Sequence, residues 1–231
     1  MAADRPLAGV TVAFDLDGTL VDSVYQHVVA WHHALLAEGI ELSIWRIHRR
    51  IGMSGGLFTR ALLRETGREF DPALLDRLRR GHAEAYKRQD REVQPLPGAV
   101  ALLRRLSEIG CPWGIATSGR METAGPVIAR LGVPEGVPVI TRDLVAHAKP
   151  DPDLFLACID RLGIDPASVY VVGDSVWDLL AARRAGTLGI GLLSGGYGTE
   201  ELERAGAYRV YEDPAMLLAH LDELGVREAG S

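Results

Sequence analysis

A chain of 231 residues with 47% hydrophobic residues can bury a large core, which excludes a disordered protein. Its formal net charge of -6 lacks the basic surplus of nucleic-acid-binding proteins, so we expect no nucleic-acid partner. The two cysteines, Cys111 and Cys158, provide no disulfide framework, and no signal peptide or membrane-spanning pattern is visible. We therefore expect a cytoplasmic protein without a membrane partner.

Short apolar runs typical of β-strands alternate with helical patterns along most of the chain. Strands are predicted at about 9–15, 113–117, 137–140, 168–173 and 187–192. Helices are predicted at about 98–110, 122–131, 152–163, 176–185 and 213–224. This alternation indicates an α/β fold with a doubly wound, Rossmann-like parallel sheet and helices on both faces. Ligands on such sheets bind at the carboxyl ends of the strands.

Two aspartates lie at the end of the first predicted strand, just before a glycine turn. Asp15 and Asp17 are two residues apart, so their side chains emerge on the same face, just before Gly18. Two like charges so close raise each other's pKa unless a cation offsets the repulsion. Carboxylate and carbonyl oxygens are the ligands that a hard ion such as Mg2+ prefers. Two solvated aspartates at the end of a strand would give the same sequence pattern. The choice between a metal site and a solvated strand end therefore depends on segments later in the chain.

Residues 23–94 interrupt the alternation. Helical patterns cover 25–38, 56–66 and 72–90, with no clear strand. The segment carries 12 basic and 9 acidic residues, net +3, against net -9 for the rest of the chain, which suits a lid that receives anions. Most of its basic side chains are interpreted as a solvated helix face. Those considered are Arg77, Arg79, Arg80, Lys87, Arg88 and Arg91.

Two later predicted strands also end in polar residues. Between them lies a lysine whose backbone is restrained by the prolines that follow it. Thr117, Ser118 and Gly119 offer hydroxyl and backbone N–H groups to phosphate oxygens, although an ordinary turn has the same composition. Lys149 is followed by Pro-x-Pro and a helical pattern. The strand at 168–173 ends at Gly-Asp with Asp174.

A second aspartate, Asp178, follows Asp174 one helical turn later. It could also be a helix cap. In order, these four segments resemble the motifs of the haloacid dehalogenase-like hydrolase superfamily: Asp-x-Asp-Gly-Thr-Leu-x-Asp-Ser, a strand ending in a hydroxyl, Lys-Pro-x-Pro-Asp, and Gly-Asp-Ser-x-x-Asp. The resemblance extends from residue 10 to about 224. It implies a catalytic α/β core of 1–22 and 95–231, and a helical cap of 23–94 above the acidic site.

The resemblance also implies a Mg2+-dependent phosphatase mechanism. Asp15 would be the nucleophile that forms an aspartyl-phosphate. Asp17 would protonate the leaving alcohol and then activate water. Asp15, Asp174 and the backbone carbonyl of Asp17 would hold Mg2+.

The remaining motif residues would bind the phosphate. By the same resemblance, Lys149 and the Thr117 hydroxyl would grip its oxygens, helped by the backbone N–H groups of Ser118 and Gly119. Asp178 would orient Lys149 or a metal-bound water.

Three branches of the superfamily are weighed against a phosphatase. Asp17 argues against the dehalogenating members, because a halide leaving group needs no proton. The segment 50–58 lacks the cap lysine of the phosphonate-cleaving members. His27 and Trp31 resemble the sugar-phosphate mutases, but Gly55 replaces the arginine that those mutases place after the cap Gly-x-Ser. A β-phosphoglucomutase-like phosphomutase therefore stays as the alternative.

His27 itself has two interpretations. It could touch the substrate or position Asp17, or it could pack beside Trp31 in a helical core. A non-catalytic binding module is a further alternative, although the presence of Asp15, Asp17 and Lys149 argues against it. The expected substrate is a small phosphorylated metabolite such as phosphoglycolate or a sugar phosphate. The sequence leaves the oligomeric state open.

Overall fold

The computed structural model describes residues 10–67 and 71–226 of the protein. Residues 1–9 and 227–231 of the predicted core, and 68–70 of the predicted cap, lie outside them. None of the helices in the described ranges is long and apolar enough to cross a membrane.

A six-stranded parallel sheet forms the centre of the protein. Its strands are β1 (Thr11–Phe14), β2 (Trp113–Ala116), β3 (Val139–Ile140), β4 (Val169–Gly173), β5 (Leu188–Leu192) and β6 (Ala207–Tyr211). The strand order is β3-β2-β1-β4-β5-β6, and every neighbouring pair is parallel. The strand order reverses at β1, which pairs with β2 on one side and β4 on the other. A ligand crevice is expected at that point, beyond the carboxyl ends of the strands.

The predicted α/β class and all five predicted strands are confirmed, but β6 is missed. This strand lies at the edge of the sheet, and its Tyr208 and Arg209 side chains are exposed. An edge strand needs no continuous apolar run, so its sequence does not stand out.

Alternation along β1 places side chains on both faces of the sheet. Val12 and Phe14 join a cluster on one face that includes Leu102, whereas Ala13 joins a cluster on the other face that includes Phe155. All five side chains are buried. Burial of a side chain as large as Phe14 contributes about 1.5–3 kcal/mol, so both faces require cover by helices.

Four α-helices lie in the described part of segment 23–94, which follows β1 in the chain. They are α1 (Val24–Ala37), α2 (Ile44–His48), α3 (Gly55–Glu65) and α4 (Pro72–Lys87). The short α2 is not predicted, and the pattern at 72–90 ends at Lys87. Asp71 begins α4 because its carboxylate accepts hydrogen bonds from the N–H groups of Ala73 and Leu74. This helical insert has its own apolar cluster, which includes Trp31, Ile47, Phe58 and Leu78.

Six helices accompany the later strands. They are α5 (Ala99–Glu108), α6 (Met121–Arg130), α7 (Asp153–Leu162), α8 (Val176–Ala185), α9 (Thr199–Ala205) and α10 (Pro214–Ala219). The seven-residue α9 is not predicted. The pattern at 213–224 is split, because α10 ends at Ala219 and a short 3-10 helix covers Leu221–Leu224.

The loop at 49–54 connects the helical insert to the carboxyl edge of the sheet. The Ser54 N–H donates to the Lys149 carbonyl at 3.0 Å, and the Ser118 hydroxyl donates to the Gly52 carbonyl at 3.1 Å. The Trp177 indole donates to the Arg49 carbonyl at 3.2 Å. These contacts bind the insert to the segments that follow β2, β3 and β4.

Candidate active site

Asp15 and Lys149 form a buried ion pair at the end of β1. The Lys149 ammonium contacts the Asp15 carboxylate and lies 2.7 Å from Oδ1 of Asp178. The other oxygen of Asp178 accepts hydrogen bonds from the backbone N–H and hydroxyl of Ser175 at the start of α8. Asp178 therefore caps a helix with one oxygen and holds Lys149 with the other, so both interpretations of this residue apply.

Three buried carboxylates lie close together at this site, and Lys149 pairs with two of them, Asp15 and Asp178. One oxygen each from Asp15, Asp174 and Asp178 lies within 4.8 Å of the others. Burial raises the pKa of Asp174 well above its ordinary value, and repulsion from Asp178 and Asp15 adds to the shift. Burial likewise raises the pKa of Asp15, despite the opposing effect of Lys149. With all three carboxylates ionised, the cluster carries two excess negative charges, which a divalent cation would neutralise.

Two glycines approach the Asp174 carboxylate closely and limit where it can lie. A Cβ atom on Gly18 would lie 2.5 Å from Oδ2 of Asp174, and one on Gly195 would lie 1.8 Å from it. Only glycine leaves that space open at either position. The Thr19 hydroxyl donates to Oδ1 of Asp174 at 3.0 Å. Fixed, buried oxygen donors of this kind fit a hard cation such as Mg2+.

Asp17 lies apart from that cluster and contacts the helical insert. Its Oδ1 accepts a hydrogen bond from the Ser23 hydroxyl at 2.6 Å and lies 3.1 Å from Nε2 of His27. Burial raises the pKa of Asp17, but His27 and Ser23 together outweigh it and lower the pKa to about 2. At neutral pH the carboxylate is therefore ionised before substrate binds.

His27 belongs to a stack of rings in the helical insert. Its Nδ1 lies 3.1 Å from Nε2 of His82, and its ring stacks on Tyr86 at 4.0 Å between centroids. The His82 ring stacks in turn on Trp31 at 4.3 Å. Burial lowers the pKa of His82 well below its ordinary value, and the neighbouring His27 adds to this effect. His27 therefore contacts Asp17, and it is half-buried against Tyr86 and His82, with Trp31 on the far side of the His82 ring.

In the loop after β2, backbone groups rather than side-chain hydroxyls are available to a ligand in the site. Thr117 is fully buried, and its hydroxyl accepts a hydrogen bond from the Gly119 N–H at 2.9 Å and lies 3.5 Å from Oδ2 of Asp17. The Arg142 N–H donates to the Gly119 carbonyl at 2.9 Å, which ties this loop to the segment after β3. Ser118 and Gly119 then lead directly into α6. A helix N-terminus with free N–H groups favours anions.

A cavity of about 310 Å³ joins these groups beneath the helical insert. The core contributes Asp15, Asp17, Ser118, Gly119, Arg120, Arg142 and Lys149, among others. The insert contributes His27, Trp31, Gly52, Phe58, Arg79 and His82, among others. Thr117, Asp174 and Asp178 are buried next to the lining residues. The predicted site residues are thus brought together at one place.

A family model described as haloacid dehalogenase-like hydrolase matches residues 10–186, from the start of β1 to just beyond α8. The chain belongs to this family. That membership confirms the resemblance seen in the four motifs.

Two curated relatives of this hydrolase are phosphatases by name. An N-acetylmuramic acid 6-phosphate phosphatase from Pseudomonas aeruginosa is 31% identical over 76% of this chain and 78% of its own length. A phosphoglycolate phosphatase from Agrobacterium fabrum is 32% identical over 83% of each chain. Among solved structures, a hydrolase from Pseudomonas syringae has 52% identity and a TM-score of 0.90, covering 93% of this chain and 98% of that chain.

Four cavity residues of this haloacid dehalogenase-like hydrolase were not identified from sequence. His82, Arg120 and Arg142 carried no local signal, since each is a single polar residue in or beside a helix. Arg79 is one of the six basic residues most of which are interpreted as a solvated helix face; it lines the cavity, and its side chain is 39% exposed. The neighbouring Arg77 is a surface residue, bonded to Glu38 at 3.0 Å. The helical period places the two residues on different faces of α4, but it does not say which of those faces meets the cavity.

Proposed function

We propose that the protein is a Mg2+-dependent phosphatase acting on a small phosphorylated metabolite of the phosphoglycolate or sugar-phosphate type. The observation that carries the proposal is the buried Asp15–Lys149 pair in a cavity that also holds Asp17. The phosphatases among the relatives support the reaction class. The cavity of about 310 Å³ suits a small ester.

Asp15 is the proposed nucleophile. One of its oxygens attacks phosphorus while the bond between phosphorus and the ester oxygen breaks, which leaves an aspartyl-phosphate. Lys149 holds the anionic phosphate oxygens together with backbone N–H groups of Ser118 and Gly119. Thr117 supports that loop and completes the phosphate site.

Asp17 is the proposed acid and base. A proton taken up when substrate binds, held on Asp17 or on the neighbouring His27, passes through Asp17 to the departing ester oxygen. In the second step Asp17 takes a proton from the water that attacks the aspartyl-phosphate. Inorganic phosphate then leaves, and Asp15 returns as a carboxylate. His27 holds Asp17 in position and offers a second site for the proton.

Asp15, Asp174 and the backbone carbonyl of Asp17 would hold Mg2+, which supplies positive charge against the anionic oxygens of the transferred group. Asp178 is proposed to act through Lys149, because its Oδ1 lies 2.7 Å from that ammonium.

We assign 1–22 and 95–231 to a catalytic core and 23–94 to a cap. Two strand-like contacts support these limits: the Asp22 N–H donates to the Gln94 carbonyl at 2.9 Å, and Val21 bridges Pro95. Both connections thus leave the core side by side, as a lid requires. A cytoplasmic location is part of the proposal and rests on the two free cysteines, Cys111 and Cys158.

The alternative is a phosphomutase, which His27 and Trp31 at the cavity favour and Gly55 opposes. The test is a panel of phosphorylated metabolites with Mg2+, in which released phosphate and isomerised product are measured separately. We expect phosphate release that Asp15→Asn abolishes. Isomerisation without net phosphate release would establish the mutase, and phosphate release equal in Asp15→Asn would contradict the covalent mechanism.

A further inference from the structure

Three arginines line the cavity from different parts of the fold. Arg79 comes from α4 in the helical insert, Arg120 directly follows the loop residue Gly119, and Arg142 follows β3. The hydrogen bond from the Arg142 N–H to the Gly119 carbonyl, at 2.9 Å, holds the two core segments together. Guanidinium groups of the core and of the insert therefore face the same space.

These guanidinium groups have little compensating charge. Arg142 donates to the carbonyls of Val145 and Ala146, and no carboxylate in the described part of the chain forms an ion pair with it. Arg79 has a distant partner at 3.7 Å, Asp76, whose side chain is 69% exposed, so that pair is weak.

Arg120 is the best compensated of the three. It pairs with Asp143 at 2.8 Å, but the same carboxylate also accepts the Met121 N–H at 2.9 Å. Glu122 also lines the cavity and is exposed. Among the described residues, the carboxylates nearby are those of Asp76, Asp143 and Glu122, and only that of Asp143 lies within hydrogen-bond distance of one of the three guanidinium groups.

Arg50 provides a contrast within the same cavity. Its guanidinium pairs with Glu65 and donates to the Arg46 carbonyl at 2.7 Å, so its charge has a structural partner in the insert. Arg79 differs. Partial burial lowers the pKa of Arg79, and repulsion from the neighbouring Arg120 and Arg142 adds to the shift. Such repulsion between insert and core is relieved when an anion lies between them.

The phosphate to be transferred does not account for these arginines. Its site is formed by Asp15 and Lys149, and Lys149 pairs there with the carboxylates of Asp15 and Asp178. None of the three arginines forms an ion pair with those two aspartates in the described residues. A Cβ atom on Gly56 would lie 3.2 Å from the Arg79 guanidinium, so this glycine leaves room for it beside the cavity.

We propose that Arg79, Arg120 and Arg142 form a second anion subsite, so that the preferred substrate is a phosphomonoester carrying a second anionic group. This inference rests on the proposed phosphatase activity and narrows its substrate class. Guanidinium groups bind carboxylate and phosphate oxygens through paired hydrogen bonds, so either group fits the subsite. An uncharged remainder of the ester would leave the like charges of insert and core unrelieved.

Matched substrate pairs test the subsite and identify its anion. Phosphoglycolate is compared with ethyl phosphate for a carboxylate, and fructose 1,6-bisphosphate with fructose 6-phosphate for a second phosphate. We expect kcat/KM to favour the anionic member of at least one pair by about 10- to 100-fold, as hydrogen bonds to charged groups predict. No preference in any pair would overturn the subsite.

Variants assign the preference to the arginines. We expect Arg79→Gln and Arg142→Gln to remove most of that preference, mainly through KM, because they lower kcat/KM far more for the member with the second anionic group than for its matched partner. Arg204→Gln is the control, because Arg204 is 80% exposed and pairs with Glu200 on α9. Equal losses for both members of a pair would show a structural role and overturn the inference.

Binding measurements separate this inference from the proposed activity. In Asp15→Asn, calorimetry compares phosphoglycolate with ethyl phosphate, and the bisphosphate with the monophosphate, with no turnover. Tighter binding of an anionic member that Arg79→Gln removes supports the subsite. Equal binding overturns it, even when wild-type enzyme hydrolyses p-nitrophenyl phosphate. Failure of the wild type to release phosphate from any ester contradicts the phosphatase, and the calorimetry still decides the subsite.

Discussion

Nε2 of His27 lies 3.1 Å from Oδ1 of Asp17, which joins the first helix of the insert to the end of β1. His27 also lies 3.1 Å from His82 through its other ring nitrogen. The contact gives a proton two neighbouring sites, a carboxylate whose pKa is lowered to about 2 and an imidazole. The insert therefore influences the protonation of a core residue as well as covering it.

Replacement of Asp17 by Asn should slow the reaction of a phosphate ester to an extent that depends on its leaving group. We expect phosphorylation of the enzyme by alkyl phosphates to fall about 100- to 10,000-fold, and by p-nitrophenyl phosphate far less, because nitrophenolate needs no proton. Single-turnover rates measure this step. Asp22→Asn, at an exposed carboxyl nearby, is the control. The same loss for both esters would place the acid elsewhere.

Removal of the His82 ring should lower kcat rather than raise KM. The half-buried, neutral His82 can accept a hydrogen bond from Nδ1 of His27, which leaves Nε2 to face Asp17. We expect His82→Ala to reduce kcat about tenfold, which corresponds to the free energy of one hydrogen bond. His82→Gln should restore part of the lost kcat. His33→Ala, at an exposed histidine, should have no effect. A change confined to the melting temperature would indicate packing alone.

Asp15→Asn should fold normally and form no covalent intermediate, because an amide oxygen is a poor nucleophile. Acid-quenched wild-type enzyme should carry one phosphoryl group on the peptide that contains Asp15, and the variant none. Mass spectrometry of the digested protein measures both. A phosphorylated variant with wild-type turnover would identify another nucleophile.

Mg2+ should stabilise the protein more at pH 8 than at pH 5.5. Burial raises the pKa of Asp15 to about 7, although Lys149 opposes the shift. In the metal-free protein this group therefore contributes stability below about pH 4 that is lost as pH rises through about 7. Mg2+ requires the ionised carboxylates, so its effect grows over the same range.

Melting curves with and without Mg2+ measure that effect. At 100 times Kd the ion should add about 2.7 kcal/mol at pH 8, or about 5–10 °C for a chain of this size. Asp174→Asn should lose the increment, and Asp160→Asn, at an exposed carboxyl, should keep it. An increment in Asp174→Asn as large as in the wild type would place the metal elsewhere.

Gly195→Ala should weaken Mg2+ binding because the new Cβ atom would lie 1.8 Å from Oδ2 of Asp174. The carboxylate or the loop must move, and we expect calorimetric affinity to fall at least about tenfold, the low end for lost support of a metal ligand. Gly125→Ala is the matched control. It lies inside α6 with its closest contact, Met121 Sδ, at an ordinary 3.5 Å, and alanine is the better helix former. Unchanged affinity in Gly195→Ala would show that the loop adapts freely.

The sequence by itself determined the α/β class, five of the strands and the polar residues at their ends. These features are local. Val12 and Phe14 alternate with Ala13 along one short strand, and Asp15 and Asp17 follow it within three residues. Periodicity and turn chemistry act over a few residues, so they can be recognised without knowing what packs nearby. β6 and α9 were not predicted, because an exposed edge strand and a seven-residue helix show too little hydrophobic periodicity.

Only the tertiary structure decided what surrounds those motif residues. His27 and His82 are 55 residues apart and meet because α1 packs on α4. Arg79 and Arg77 share one amphipathic helix, yet one lines the cavity and the other bonds to Glu38 on the surface. The physical reason is that a side chain's partner depends on the direction in which its helix is packed, and long-range apolar contacts set that direction.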